Sequence, residues 1–266
     1  MNEMKTAVIK RPDGVKIVYD VIGDGPVLML LHGGGPEHSR QEWHEAGYVD
    51  RLKNDYTVIT MDIRGHGQSD KPTHPQAYTI QTMCADILAV ADACDVNQFI
   101  IWGYSFGGNI GRFLATQSER VMGLIIIGIP MGLAAGGTFR DFILDFSAHW
   151  QPIIQALQNG AKEVVSLSEE DQAEWQEIDV PLLLAWLTAM LDWGSIEPTD
   201  LPCPTLWLSG SENEGTIASI QAYQAQLKTS RVQVQTIKGL NHAQEFSEVD
   251  KVFLAMLAFT QTVCNQ

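Results

Sequence analysis

Residues 99–108 read Phe-Ile-Ile-Trp-Gly-Tyr-Ser-Phe-Gly-Gly, an apolar run that ends in a Gly-x-Ser-x-Gly motif and leads into a helical pattern. The motif is typical of a sharp turn between a strand and a helix, because Gly103 and Gly107 lack the Cβ atoms that would collide there. The first N–H groups of a helix beginning near Phe106 have no intrahelical partner, so they can donate to a developing oxyanion. We therefore expect Ser105 to be a nucleophile.

Alternating or continuous apolar runs before this turn predict strands at 5–10, 15–22, 27–31 and 57–61. The turn signal at 12–14 makes the first two an antiparallel hairpin, and a helical pattern over 43–53 separates the last two. The order strand, helix, strand favours parallel pairing. The third strand runs into His32-Gly33-Gly34-Gly35-Pro36, where a substrate can approach the backbone closely.

The alternation of strands and helices continues with a helix over 79–94 and a strand over 123–129, and it ends at Pro130. Residues 131–200 show helical spacing, with Pro152 expected to break one helix and further helices expected near Ser168 and Pro181. Strands are predicted again at 204–209 and 231–237, with helices over 216–228 and 249–263. We therefore predict a core domain of residues 1–130 and 201–266, with an all-helical cap, residues 131–200, inserted into it.

Composition limits the function. The chain has 266 residues, 45% of them hydrophobic, and a formal net charge of −15, which disfavours binding to nucleic acids and to anionic membrane surfaces. The start of the chain lacks a signal-peptide pattern, so we expect a cytoplasmic protein with small-molecule partners. The spacing of the four cysteines shows no pairs, so we expect them to be reduced. No cluster of histidine, cysteine, aspartate or glutamate residues has metal-ligand spacing. The sequence leaves the oligomeric state open.

Four motifs resemble those of the α/β-hydrolase superfamily: the glycine run after His32, the Arg-Gly-His-Gly-Gln-Ser-Asp turn at 64–70, the turn at Ser105, and a late Gly-Leu-Asn-His that ends at His242. The resemblance implies a mostly parallel eight-stranded sheet flanked by helices, with a helical cap after strand six. It further implies Ser105 as nucleophile and His242 as general base. The backbone N–H groups of Gly34 and Phe106 would form the oxyanion hole. From the residues themselves, we assign Asp62, Arg64 and His66 a mainly structural role as a polar turn that ties loops together, with His66 as a catalytic base the less favoured alternative.

The family's catalytic triad has an acid as its third member, and the chain departs from the family pattern at this acid. The family register Gly-x-x-Asp reads Gly210-Ser211-Glu212-Asn213 here, and an asparagine can orient an imidazole without stabilising its charge. We expect Asn213 to orient His242, or Glu214 to supply the charge. Glu212, or a carboxylate after strand six or in the cap, is an alternative.

The resemblance favours a serine hydrolase of the carboxylesterase type that needs no metal or cofactor. Phe142, Phe146, Trp150 and Trp186 are predicted to form an apolar roof over Ser105 that selects neutral ester substrates by size. Two other functions stay open. One is a carbon-carbon bond hydrolase of the meta-cleavage type, whose anionic substrates would find only Arg140 and Lys162 as basic cap residues. The other is a ligand-binding protein on a hydrolase scaffold.

Overall fold

The computed structural model describes residues 3–159 and 167–266, so Lys162 lies outside the described residues. A main sheet of eight strands forms the centre of the molecule, and a two-stranded sheet lies in the inserted segment. The strands are β1 (Lys5–Lys10), β2 (Lys16–Ile22), β3 (Val27–Leu31), β4 (Thr57–Met61), β5 (Phe99–Tyr104), β6 (Val121–Ile127), β7 (Gly132–Leu133), β8 (Ser195–Ile196), β9 (Thr205–Gly210) and β10 (Val232–Ile237).

The main sheet has the strand order β1-β2-β4-β3-β5-β6-β9-β10. Strand β2 pairs antiparallel with both β1 and β4, and every other pairing in this sheet is parallel. The predicted mostly parallel eight-stranded sheet is therefore confirmed. All six residues of β5 are buried, as expected for a central strand covered on both faces.

Helices cover both faces of the sheet, and each face has its own cluster of buried apolar side chains. The helices are α1 (Gln41–Glu45), α2 (Tyr48–Leu52), α3 (Ile80–Ala93), α4 (Phe106–Gln117), α5 (Gly137–Gln158), α6 (Glu169–Glu177), α7 (Val180–Met190), α8 (Glu214–Ala222), α9 (Gln224–Leu227), α10 (Gln244–Ser247) and α11 (Val249–Cys264), with 3₁₀ turns at Pro75–Tyr78 and Pro198–Asp200. In the described part of the chain, no helix is long and apolar enough to span a membrane.

Several predicted helices differ from those observed. The helix expected over 43–53 is two short helices, because Gly47 between them has a left-handed backbone with φ of 83°. The helix expected over 216–228 is likewise divided at Tyr223. In contrast, α5 continues through Pro152, so the expected break is absent. A proline inside a helix removes one backbone hydrogen bond, and the rest of this long helix keeps its ladder.

The inserted segment is not all-helical. Strands β7 and β8 pair antiparallel at its two ends, where Gly132 lies opposite Ile196. Helix α4 also forms hydrogen bonds with the start of the inserted segment. Arg112 is buried and donates to the backbone oxygens of Pro130 and Leu133, while Asn109 donates to that of Ala134. The base of the segment is thus tied to the helix that follows Ser105.

Candidate active site

Ser105 lies at the turn between strand β5 and helix α4, and its backbone is strained, with φ of 49° and ψ of −113°. Such a conformation persists only where the surroundings impose it. A Cβ atom on Gly103 would lie 2.5 Å from the Cα of Gly108, and one on Gly107 would lie 2.3 Å from the backbone oxygen of Leu31. The two glycines therefore allow helix α4 to pack against β5 and β3 and so position the Ser105 hydroxyl.

His242 lies in the loop between strand β10 and helix α10, and its Nε2 is 3.1 Å from Ser105 Oγ. The ring of Tyr104 stacks on the imidazole with ring centroids 5.2 Å apart, and the Tyr104 hydroxyl donates to the His242 backbone oxygen at 3.2 Å. This pair has the geometry in which a serine hydroxyl can pass its proton to an imidazole. The structure thus brings together the two residues predicted to act as nucleophile and base.

The carboxylate that faces His242 Nδ1 belongs to Glu245, whose Oε2 lies 3.2 Å from it. Glu245 is fully buried in α10, three residues after the histidine. Its Oε1 accepts hydrogen bonds from the backbone N–H of Gly210 and from Ser209 Oγ. Glu245 was not among the residues predicted from the sequence, although an acid three residues after the histidine, in a His-x-x-Glu pattern, was a usable signal.

Glu214 and Glu212 do not lie beside His242, where the family register predicted an acid. Both side chains are exposed, and Glu214 begins helix α8 directly after Asn213. The chain turns into the helix there, so these carboxylates face solvent. Neither has a hydrogen bond or ion pair to His242 among the contacts of the described residues. The expectation that Glu214 contacts the histidine is therefore corrected in favour of Glu245.

Asn213 does lie at the site, but it contacts the acid rather than orienting the histidine directly. Its Oδ1 caps helix α8 by accepting from the Thr216 backbone N–H at 3.2 Å, which leaves Nδ2 to face the site. Nδ2 donates to both oxygens of Glu245, at 3.1 and 3.0 Å, and to the Gly128 backbone oxygen at 2.9 Å. Nδ2 is also 3.4 Å from His242 Nδ1, but two N–H donors form no hydrogen bond.

Gly128, directly after strand β6, provides the space for this arrangement. Its φ is +79°, and an added Cβ would lie 2.2 Å from Glu245 Oε2 and 2.7 Å from His242 Nδ1. A side chain at this position would displace one of these two groups. The residue after strand six therefore supplies room for the acid and not the acid itself.

Gly34 lies beside Phe106, as expected for two residues of one oxyanion hole. An added Cβ on Gly34 would lie 3.0 Å from the Phe106 Cβ. Within the described ranges, neither backbone N–H has a hydrogen-bond acceptor, although the N–H of the next residue, Gly107, donates to the His32 backbone oxygen at 2.9 Å. Two N–H groups are thus free to donate close to Ser105.

Two buried histidines hold the glycine loop in place. His32 Nε2 accepts from the Ile63 backbone N–H at 3.0 Å, and its Nδ1 donates to the Gly33 backbone oxygen at 2.6 Å. His66 Nε2 accepts from the Gly35 backbone N–H at 3.2 Å. Burial lowers the pKa of His66 to about 4, so the imidazole is neutral and can act as this acceptor. These contacts agree with the mainly structural role assigned to His66.

The four predicted cap residues have different surroundings. Trp186 packs against the rings of Phe106 and His66, with centroids 4.9 and 5.7 Å apart. Phe142, Phe146 and Trp150 instead stack in turn along α5, and the buried Trp150 packs on Trp175 of α6. Trp186 is therefore next to the oxyanion residues. The ring contacts found for the other three lie within the cap, and their role in substrate binding stays a prediction.

Neither of two clefts between the cap and the 3₁₀ turn Pro75–Tyr78 includes Ser105. Their volumes are about 380 and 250 Å³, and Gln151 and Thr188 line both. No group of three or more potential metal-ligating side chains is arranged around an ion site in the described part of the chain. The cysteines Cys84, Cys94, Cys203 and Cys264 are free thiols.

A family model described as alpha/beta hydrolase fold matches residues 26–152. Mouse Epoxide hydrolase 4 is 32% identical over 136 residues, which cover 50% of this chain and 36% of that protein. The chain thus spans about a third of the first curated relatives it matches. A Bacillus subtilis protein named as a putative 2-succinyl-6-hydroxy-2,4-cyclohexadiene-1-carboxylate synthase is 26% identical over 256 residues, covering 87% of this chain and 90% of that one.

Solved structures match over nearly the whole chain. A structure from work on carboxylesterases of the archaeon Nitrososphaera gargenis has a TM-score of 0.72 and 20% identity, covering 97% of this chain and 99% of that one. Epoxide hydrolase VrEH1 from Vigna radiata has a TM-score of 0.70 and 17% identity, covering 98% of each chain. The fold is therefore the α/β-hydrolase fold. The family model, over residues 26–152, agrees with this fold.

Proposed function

We propose that this protein is a serine hydrolase of the carboxylesterase type. The observation that carries the proposal is the 3.1 Å contact between Ser105 Oγ and His242 Nε2, next to the two free N–H groups of Gly34 and Phe106. A nucleophile, a base and oxyanion donors at one point are what acyl transfer requires.

The reaction has two halves. Ser105 Oγ attacks the ester carbonyl carbon and passes its proton to His242 Nε2, while the backbone N–H groups of Gly34 and Phe106 stabilise the oxyanion. The tetrahedral intermediate collapses, and the alcohol leaves with the proton from His242. A water molecule then gives its proton to His242 and attacks the acyl carbon. The acid is released, and the proton returns to Ser105.

The presence of serine at this turn argues against epoxide opening, despite the likeness to proteins named epoxide hydrolases. A serine hydroxyl that opened an epoxide would become an alkyl ether of Ser105. An ether has no carbonyl carbon for water to attack and no carbonyl oxygen for the oxyanion donors to polarise. A carboxylate nucleophile would instead give an ester, which water can cleave. The side chain of Ser105 therefore favours acyl substrates.

The charge of the cap favours neutral substrates over anionic ones. Arg140 is the one lysine or arginine among the described cap residues, which include eleven acids. A carbon-carbon bond hydrolase with dienoate substrates, or an enzyme for a dianionic acid, would have few basic partners there. A neutral ester has no such requirement.

The proposal is tested with p-nitrophenyl esters of increasing acyl length and with a fluorophosphonate probe. The wild-type protein should turn over at least one ester and should be labelled once. Ser105→Ala should abolish labelling and lower kcat by a factor on the order of 10⁶. Ser118→Ala, at the other end of helix α4, is the matched control and should behave as wild type.

Three outcomes would contradict the proposal. The first is a wild-type protein that the probe does not label. The second is turnover of a dienoate carbon-carbon substrate with no ester turnover. The third is a ligand that binds and is recovered unchanged while no ester is cleaved, as expected of a binding protein on a hydrolase scaffold.

A further inference from the structure

We propose that Glu245 is the positioning residue that supplies the negative charge behind His242, and that Asn213 donates to this carboxylate and keeps it aimed at the imidazole. The inference rests on the proposed serine hydrolase function and adds its third member. The amide of Asn213 occupies the position where the family has its acid, and the carboxylate of Glu245 instead lies on the helical turn beside His242.

Glu245 is a buried carboxylate whose ionic partner is His242. The side chain is fully buried, and a buried carboxylate needs donors or a cation. Within residues 3–159 and 167–266, no lysine or arginine forms an ion pair with it, and its ion-pair contact is with His242. Its other partners are the Gly210 N–H, Ser209 Oγ and Asn213 Nδ2, all uncharged donors. The imidazolium formed during proton transfer is therefore the cation that this carboxylate can stabilise.

The position of Glu245 also bears on which ring nitrogen of His242 carries the proton. As a base toward Ser105, the imidazole must leave Nε2 unprotonated, so its proton is on Nδ1. Glu245 Oε2 is an acceptor 3.2 Å from this atom, whereas Asn213 presents an N–H donor to it. Glu245 thus selects the tautomer that the reaction needs, and Asn213 cannot do so.

The contacts of Asn213 explain why residue 213 is an amide. Its Nδ2 lies 3.1 and 3.0 Å from the two oxygens of Glu245. An aspartate in its place would put two carboxylates at that distance, and such a pair shares one proton. The asparagine instead donates to the carboxylate, and its own orientation is fixed because Oδ1 caps helix α8.

The backbone leaves space for Glu245 beside His242. Gly128 has no side chain where a Cβ would lie 2.2 Å from Glu245 Oε2. The Glu245 backbone N–H donates to the Asn241 backbone oxygen at 3.0 Å, so acid and histidine lie on one helical turn. A purely structural buried glutamate would not need this clearance beside the imidazole.

The experiment compares Glu245→Gln, Asn213→Asp/Glu245→Gln and the control Glu248→Gln on an ester that the wild type cleaves. Glu245→Gln should lower kcat by a factor on the order of 10⁴ with little change in KM, as for removal of a triad acid. It should also move the acid limb of the kcat/KM profile to lower pH, because a neutral amide no longer favours the imidazolium. The double variant exchanges carboxylate and amide and should recover at least about tenfold over Glu245→Gln. Glu248→Gln should resemble wild type.

Wild-type kcat and an unshifted pH profile in folded Glu245→Gln would overturn the inference. A loss in Glu214→Gln with none in Glu245→Gln would overturn it as well. If Glu245→Gln retains only weak activity with an unshifted pH profile, and the double variant recovers nothing, the glutamate is structural and the inference fails. In each case, continued labelling of Ser105 by the fluorophosphonate probe in the wild type keeps the proposed function separate from this inference.

Discussion

Asn213 provides a test of the site that does not depend on catalysis. Asn213→Asp would place a carboxylate about 3 Å from that of Glu245, and one member of such a pair takes a raised pKa. A carboxyl group whose pKa is higher in the folded state stabilises the fold less as pH rises above its unfolded value. We expect the variant to unfold nearly as wild type at pH 4 and to lose about 1 to 3 kcal/mol relative to it by pH 8.

Urea denaturation across this pH range measures the effect. The double variant Asn213→Asp/Glu245→Gln has one carboxylate at the site and should not show the added pH dependence. An equal difference between Asn213→Asp and wild type at pH 4 and pH 8 would mean that the two side chains are not neighbours.

The same residues show what the sequence could and could not predict about the site. Ser105 and His242 lie in motifs whose backbone geometry is local, so a single sequence is enough to select them. Glu245 is different, because its contact with His242 depends on the direction of helix α10 and on the space left by Gly128. The loop after β9 contained the expected register, but its glutamates face solvent.

The cap helices determine which side chains can reach the substrate. Trp186 of α7 packs on Phe106, and an added Cβ on Gly34 would lie 3.2 Å from its ring, while the half-exposed Phe142 contacts other rings of α5. We expect Trp186→Phe to change the ratio of kcat/KM for short and long p-nitrophenyl esters more than Phe142→Ala or Phe146→Ala does. Leu254→Ala, an exposed leucine of helix α11, is the control and should leave the ratio unchanged. An unchanged ratio in all three cap variants would contradict a lining role.

The elements themselves were largely predictable because apolar periodicity is a strong local signal. The strands of the main sheet follow from their apolar patterns, and the starts of α6 and α7 follow from the signals at Ser168 and Pro181. The departures occur where one residue outweighs the pattern, as Gly47 does, or where a pairing is non-local, as between β7 and β8. Pro152 shows the reverse case, in which the surrounding helix outweighs a residue that usually breaks it.

At the scale of the whole molecule, the site forms where the carboxyl ends of β3, β5, β6 and β9 meet at one edge of the sheet. Gly34, Ser105, Gly128 and Asn213 all follow these strands, although they are far apart in the chain. Ligands of α/β sheets bind in the crevice at the carboxyl ends of the strands. The pairing of these strands therefore brings the site residues together.

The buried neutral histidines make the stability of the molecule sensitive to acid. The pKa of His66 is about 4 when folded, against an ordinary value of 6.5, and burial also lowers that of His32. The unfolded chain binds these protons first, so the free energy of unfolding should fall as pH drops from 6.5 to 4, by about 3 kcal/mol for His66. Urea denaturation should show a smaller fall in His66→Gln, while His74→Gln, at an exposed position, should match wild type. Equal falls in both variants would assign the acid sensitivity to other groups.

The most direct test of the account is to identify the acyl-enzyme itself. The protein is mixed with a p-nitrophenyl ester that it turns over, quenched in acid during the reaction, and analysed by mass spectrometry of its peptides. We predict one acyl group on the peptide that contains Ser105, formed at the rate of the initial p-nitrophenol burst and lost at the rate of turnover. Rapid turnover in Ser105→Ala, or an acyl group found on another residue, would contradict the account.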